Sequence, residues 1–193
     1  LKFSLTSDGD LFANRSVTVG LSGGVAESYV AEEALDAGMV VAFATTTSAW
    51  EQRGATTTEA YEIASVRKAN HSLEVVGVVS TLSGITLATK HASSTLNTVP
   101  VALLGRVPVK VTTENGEIKV GDYVTVSTTT PGHAMKLTGE GKAIGRAVSN
   151  YVQGRDKVLI YLDMSNQKLD MVGGYAITTG MLTTGNVDLN ANG

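Results

Sequence analysis

The chain has 193 residues, enough to bury a core in one domain or two small ones, which excludes a peptide hormone or a disordered tail. Its formal net charge is −3 and its 15 Lys+Arg are scattered, so no cationic stripe meets a phosphate backbone and nucleic acid is not an expected partner. No apolar run approaches the ~20 residues needed to cross a bilayer, so membrane insertion is not expected, and the lack of Cys removes disulfides, thiolate nucleophiles and Cys-ligated zinc.

In chain order, Lys2 to Gly20 alternates apolar and polar residues in two runs joined at Asp8-Gly9, a dipeptide that favours a type I′ hairpin turn. Gly20-Leu21-Ser22-Gly23-Gly24 has the spacing of a nucleophile elbow, but an elbow requires a helix directly afterwards. Val25 to Val30 reads as extended, so the glycines read as a turn. Val30–Ala37 reads equally as a short helix, since Ala31 to Leu35 are good helix formers that Gly38 would terminate, and as an extended loop leading into a strand. Strands are predicted at Met39–Thr45, Glu62–Val66, Glu74–Thr81, Val99–Thr113, Tyr123–Ser127, Ala143–Ser149 and Val158–Leu162. Ala55–Ala60 reads as a hairpin tip or exposed loop, and Asn115-Gly116 as a type I′ turn. At the far end Tyr175–Gly180, Met181–Gly185 and Asn186–Gly193 are brief strands, each closed by Gly and too polar to bury a core of their own. Such ends need neighbours, which pairing between chains or stacking in a fibre supplies. The chain starts at Leu1 rather than Met and is expected to be an excerpt or a processed product.

The composition supports this β-rich reading. Charged residues are only 17 %, against a usual ~25 %, so Thr, Ser, Asn and Gly must meet the water. The interior carries an echo. Ala37-Gly-Met-Val-Val-Ala-Phe-Ala-Thr-Thr-Thr47 aligns without gaps on Val120-Gly-Asp-Tyr-Val-Thr-Val-Ser-Thr-Thr-Thr130. Downstream of each copy comes a strand with a central Gly, Glu74-Val-Val-Gly77-Val-Val-Ser80 and Lys142-Ala-Ile-Gly145-Arg-Ala-Val-Ser149. The shared plan is a Gly turn, a strand, a Thr-rich loop and a second strand whose Gly lets another backbone pass closely.

Chemical signals are sparse. Ser65-Val-Arg-Lys68 matches the Ser-Lys spacing of some acylating enzymes, yet it reads as the end of a strand running into a turn, where the two side chains do not share a face. His71, His91 and His133 are isolated and read as polar loop residues, so no metal is expected. Asp8-Gly-Asp10, Glu114-Asn-Gly-Glu117 and Gly121-Asp122 read as hairpin turns, none with the spacing of a calcium loop. Trp50 is the only Trp and is placed in a loop, as a partly buried anchor or, in the alternative, as a ring stacking on a cell-surface glycan.

An ordered set of motifs then points to a family. Val76-Gly-Val-Val-Ser-Thr81, Val99-Pro-Val-Ala-Leu-Leu-Gly-Arg-Val-Pro-Val-Lys-Val-Thr-Thr-Glu-Asn-Gly116, Ile118-Lys-Val-Gly-Asp122, Thr130-Pro-Gly-His-Ala-Met-Lys136 and Ile144-Gly-Arg-Ala147 follow one another in that order. From Gly24 to Met164 the chain resembles a β-rich domain of phage tail-fibre and neck-appendage proteins and of bacterial fibre-type surface proteins, related to the peptidase G2 intramolecular-chaperone autoproteolytic family. The resemblance implies an extracellular, cell-surface or virion-borne fibre protein, homotrimeric, in which this domain shapes or caps the shaft. The family cuts itself near the domain entrance, in a pattern of the type Ser-Gly-x-Asp-x-Ala-Glu followed by an aromatic. Here Ser22 and Gly23 match, Glu27 supplies the Glu one place early, and the three would form the catalytic set, but Val25 stands where the Asp is expected, and Val can neither move a proton nor strain the peptide. A Gly-rich turn entering the domain, with Glu27 as a hydrogen-bonding anchor, is therefore the preferred reading, and the chain leans away from being an enzyme.

The expectation is an all-β protein with a central barrel or sandwich over 25–164 that contains an internal pseudo-repeat. Short-strand fibre segments over 1–24 and 165–193 flank it. Its role is structural and its partner is itself, as a homotrimer or filament, with no cofactor. An autoproteolytic chaperone domain and a glycan-binding adhesin module are the alternatives.

Overall fold

The computed structural model describes residues 3–5, 11–13, 24–53, 58–70, 74–81, 83–87, 97–139, 141–163, 168–172 and 175–178. Among these the fold is all-β, without a helix. The strands are β1 (Phe3–Leu5), β2 (Leu11–Ala13), β3 (Val25–Val30), β4 (Val40–Arg53), β5 (Thr58–Lys68), β6 (Val75–Val79), β7 (Ile85–Leu87) and β8 (Thr98–Lys110). They continue with β9 (Tyr123–Val126), β10 (Ala134–Lys136), β11 (Gly141–Lys142), β12 (Gly145–Ala147), β13 (Lys157–Leu162), β14 (Lys168–Val172) and β15 (Tyr175–Thr178). The residues explain the choice. In β13 the β-branched or leucine side chains of Val158, Ile160 and Leu162 point inward while Leu159 and Tyr161 are outside, the period of two that a half-buried strand requires.

Ten strands form one curled, half-barrel sheet in the order β10-β9-β12-β13-β8-β6-β4-β5, with β3 on β8 and β7 parallel to β3. The predicted echo is a real structural repeat. In a first lobe, β3, β8, β6, β4 and β5 succeed one another, and a parallel bridge from Ala31 to Val66 ties β5 back to the end of β3. In a second lobe the C-terminal half of β8 succeeds to β13, β12, β9 and β10, and a parallel bridge from Val111 to Ala134 ties β10 back to the end of β8. The turns repeat bond for bond. Gly38, at φ 94, donates to Val79 at 2.7 Å, and Gly121, at φ 92, donates to Ala147 at 2.8 Å. Ala31 donates to Asn97 at 2.8 Å, and Val111 donates to Asp156 at 2.9 Å. β8 thus serves both lobes, its first half as the fifth strand of one and its second half as the first strand of the other.

The inner face of the second lobe and the outer face of the first join in one core, which includes Val40, Val78 and Ala102 together with Val107, Val109, Ile144, Ile160 and Leu162. The inner face of the first lobe is a smaller cluster of Val41, Val66, Val79 and Val101, with Tyr29, Leu35, Met39, Val99 and Leu103 packed against it half-buried.

Several expectations change. Of the two readings of Val30–Ala37 the loop into a strand is the one found and the helix is not, because Glu32 donates to Val66, and Lys68 donates to the Glu33 carboxylate, so this segment is spent on tying β5 down. Trp50 is not in a loop: β4 runs on to Arg53 and pairs Trp50 with Tyr61. Asn115-Gly116 is not the centre of a type I′ turn, since Gly116 donates to Thr113 and so closes a turn centred on Glu114-Asn115. The terminal strands find partners within the chain: β1 pairs with β2, and β14 pairs with both β15 and β11. The Asp8-Gly9 turn and the stretches Met181–Gly185 and Asn186–Gly193 lie outside the described residues.

Candidate interaction surface

Ser22 and Gly23 lie outside the described residues, as do His71 and His91. Glu27 sits on β3, half-buried, and accepts a hydrogen bond of 2.9 Å from the Tyr29 hydroxyl. Burial first, then that bond and the neighbouring carboxylate charge, push the Tyr29 pKa up from 10.0 to about 12. The repeat gives this pair a reference. Glu27 and Tyr29 are paired with Val101 and Val99 as Val107 and Val109 are paired with Ile160 and Val158. Where the second lobe has two buried valines, the first has an acid and a phenol.

The same contrast extends along the first lobe's inner face. Phe43, the counterpart of buried Val126, is 50 % exposed and meets the Tyr29 ring edge-on, with centroids 6.1 Å apart. Leu103, the counterpart of buried Leu162, is half-buried. Glu27, Tyr29, Phe43 and Leu103 therefore make a partly open apolar face with one carboxylate.

A second surface lies on the outside of the second lobe. Strand register sets Tyr123 beside Arg146, Arg146 beside Tyr161, and Tyr161 beside Arg106. Four residues from four strands thus form one row on one face. The Arg146 guanidinium lies 4.8 Å from the Tyr123 ring centroid, and its Nε donates to the Gly121 carbonyl at 2.8 Å. A planar cation held on a ring and anchored at one nitrogen is oriented before any partner arrives. With Ala143, Gly145, Tyr161 and Asp163 these two residues line a shallow cleft of about 210 Å³. Tyr161 is 49 % exposed.

The other sequence candidates have structural roles. Ser65 is buried on β5, while Lys68 pairs with Glu33 at 3.1 Å. Lys110 pairs with Asp36 at 2.9 Å and Lys136 with Asp122 at 2.9 Å. Glu114 accepts from the Thr128 amide at 2.9 Å and from the Thr129 hydroxyl, fixing the Thr-rich loop. Among the described residues no three His, Asp or Glu side chains stand together as a metal site. Sequence reasoning missed the Tyr–Arg row because its members are far apart in the chain and only register assembles them. The usable signal was Arg146 and Tyr161, each alternating outward in a strand whose neighbours are apolar.

No family model matches the chain, and no curated protein matches it. The fold is similar to that in the crystal structure of the pre-mature bacteriophage phi29 gene product 12, with a TM-score of 0.52 and 15 % sequence identity over 83 % of this chain. The match takes in 24 % of that longer protein, so the chain spans about a quarter of its length. The likeness is one of fold.

Proposed function

We propose that the chain is a structural module of an extracellular, homo-oligomeric fibre or appendage, trimeric and carried on a virion or a bacterial surface. Residues 25–164 would shape or cap the shaft, and 1–24 and 165–193 would continue it. Kinship with the peptidase G2 group of fibre domains belongs to the same proposal. The observation that carries it is the inner face of the first lobe. Phe43 is exposed and Tyr29 and Leu103 are half-buried at places where the sister lobe is sealed, although completing their burial would stabilise the fold by an amount on the order of 1 kcal/mol or more. A second copy removes that cost, and the short terminal sheets gain edge partners in the same assembly. The likeness to a bacteriophage protein agrees with this reading.

The test is the mass of the full chain in solution, by light scattering and sedimentation over a range of concentrations. Three copies are expected. A single copy at all concentrations overturns the proposal.

A further inference from the structure

The Tyr–Arg row acquires a meaning when it is set against its counterpart in the first lobe. There the same four places hold Val40, Val78, Ala102 and Ala26, joined by the same register. All four are 0 % exposed, because the core of the second lobe packs on them. This position on the repeat is therefore already an interface within the chain. On the second lobe it is uncovered, and its residues change from small and apolar to Tyr and Arg, the types enriched where separate proteins meet. Leu104, two residues before Arg106, and Val148, two after Arg146, are exposed beside the row.

The charge differs between the lobes in the sense that attracts. From 25 to 104 the sequence has eight acids and four bases, and from 105 to 163 it has six acids and eight bases. The first lobe also has the partly open face described above, apolar apart from the Glu27 carboxylate, whose place in the sister lobe is held by Val107. Glu27 receives the Tyr29 hydroxyl on Oε2. Among the described residues, Arg146 has a hydrogen-bond partner only at Nε, which leaves the outer edge of its guanidinium for a carboxylate.

Resting on the oligomeric reading above, we propose that the copies join head to tail. The Tyr123–Arg146–Tyr161–Arg106 row of one second lobe docks on the Glu27–Tyr29–Phe43 face of the next copy's first lobe. Such a contact uses two different patches on each copy, so it closes into a ring when the rotation allows, and a trimer is one such ring. The Arg146 guanidinium meets the Glu27 carboxylate, and Tyr161 packs on Phe43.

The Cys-free chain offers a direct test. The full chain carrying both Tyr161→Cys and Phe43→Cys is expected to form covalent trimers on mild oxidation, and either substitution alone to leave only monomers under denaturing conditions. Arg146→Glu and Glu27→Arg should each weaken association by about 100-fold, the usual scale for removing one partner of a buried charge pair. The two together should restore it. Should Arg146→Glu disturb its own lobe, Arg106→Glu on the exposed end of the row supplies the same readout. An oligomeric wild type whose mass ignores all three charge reversals and whose double-Cys form gives no covalent species overturns this interface while leaving the oligomer standing. A wild type that stays single and binds an acidic saccharide through the row overturns both.

Discussion

Gly77 and Gly145 hold the same place in two copies of one pattern: a methyl group on Gly77 would collide with the carbonyl oxygen of Ala102, and one on Gly145 with that of Tyr161. Neither glycine has a positive φ, so the requirement is space and not backbone freedom. Gly77→Ala and Gly145→Ala are each expected to cost ~3 kcal/mol or more, since a backbone carbonyl cannot step aside. Gly139→Ala, where nothing lies within 4 Å, should stay within about 0.5 kcal/mol of wild type. Urea melts of the three variants check this.

Leu162 and Leu103 are the same residue type at equivalent places with opposite burial, 1 % exposed against half-buried. Leu162→Ala should cost ~2–5 kcal/mol by leaving a cavity in the main core, and Leu103→Ala, measured on the dissociated chain, less than half as much. Equal costs would mean that the first lobe is as closed as the second.

Alkali should act through Tyr29. Its pKa is pushed up to about 12, so above pH 10 the unfolded chain loses a proton that the folded chain keeps. Stability is therefore expected to fall as pH rises from 10 toward 12, and Tyr29→Phe should remove that part of the fall. Glu27→Gln should lower the Tyr29 midpoint only in part, because burial is the largest cause and the hydrogen bond survives the change. Tyrosinate absorbance follows the titration.

Acid should act through Glu114. Burial works to raise its pKa, but hydrogen bonds from the Thr129 hydroxyl and the Thr128 amide outweigh it and hold the carboxyl below its ordinary 4.5. A depressed folded value stabilises above 4.5, and that contribution is lost as pH falls through the lower folded pKa. The Thr128 amide should lose hydrogen-exchange protection over that acid limb, and Glu114→Gln should abolish the pH dependence while weakening the loop at neutral pH.

Much of this architecture was legible in the residues because strand periodicity and glycine placement are local. The echo around Gly38 and Gly121, and the need for glycine at 77 and 145, could be read directly, as could the positions of seven of the sheet's ten strands, whereas the short β7 and β10 were missed. The segment after β3 was harder, since Ala31 to Leu35 favours a helix by propensity and is overruled by a bond to Val66 that the sequence does not announce. The extent of β4 was hidden for a similar reason: Trp50 follows a Thr-rich run that reads as loop until β5 is there to pair with it. The Tyr–Arg row was the least visible feature. Its geometry depends on three independent registers, and a slip of one residue in any of them would turn one member to the other face.

The two lobes share both a strand, β8, and a core. A truncation between Leu104 and Gly105 would leave each product its five lobe strands, with β8 divided between them, but would split the main core and uncover Val40, Val78 and Ala102 on one product and Val107, Val109 and Ile160 on the other. The two lobes are joined along the thirteen-residue β8 and across the main core, so neither can open without uncovering the other.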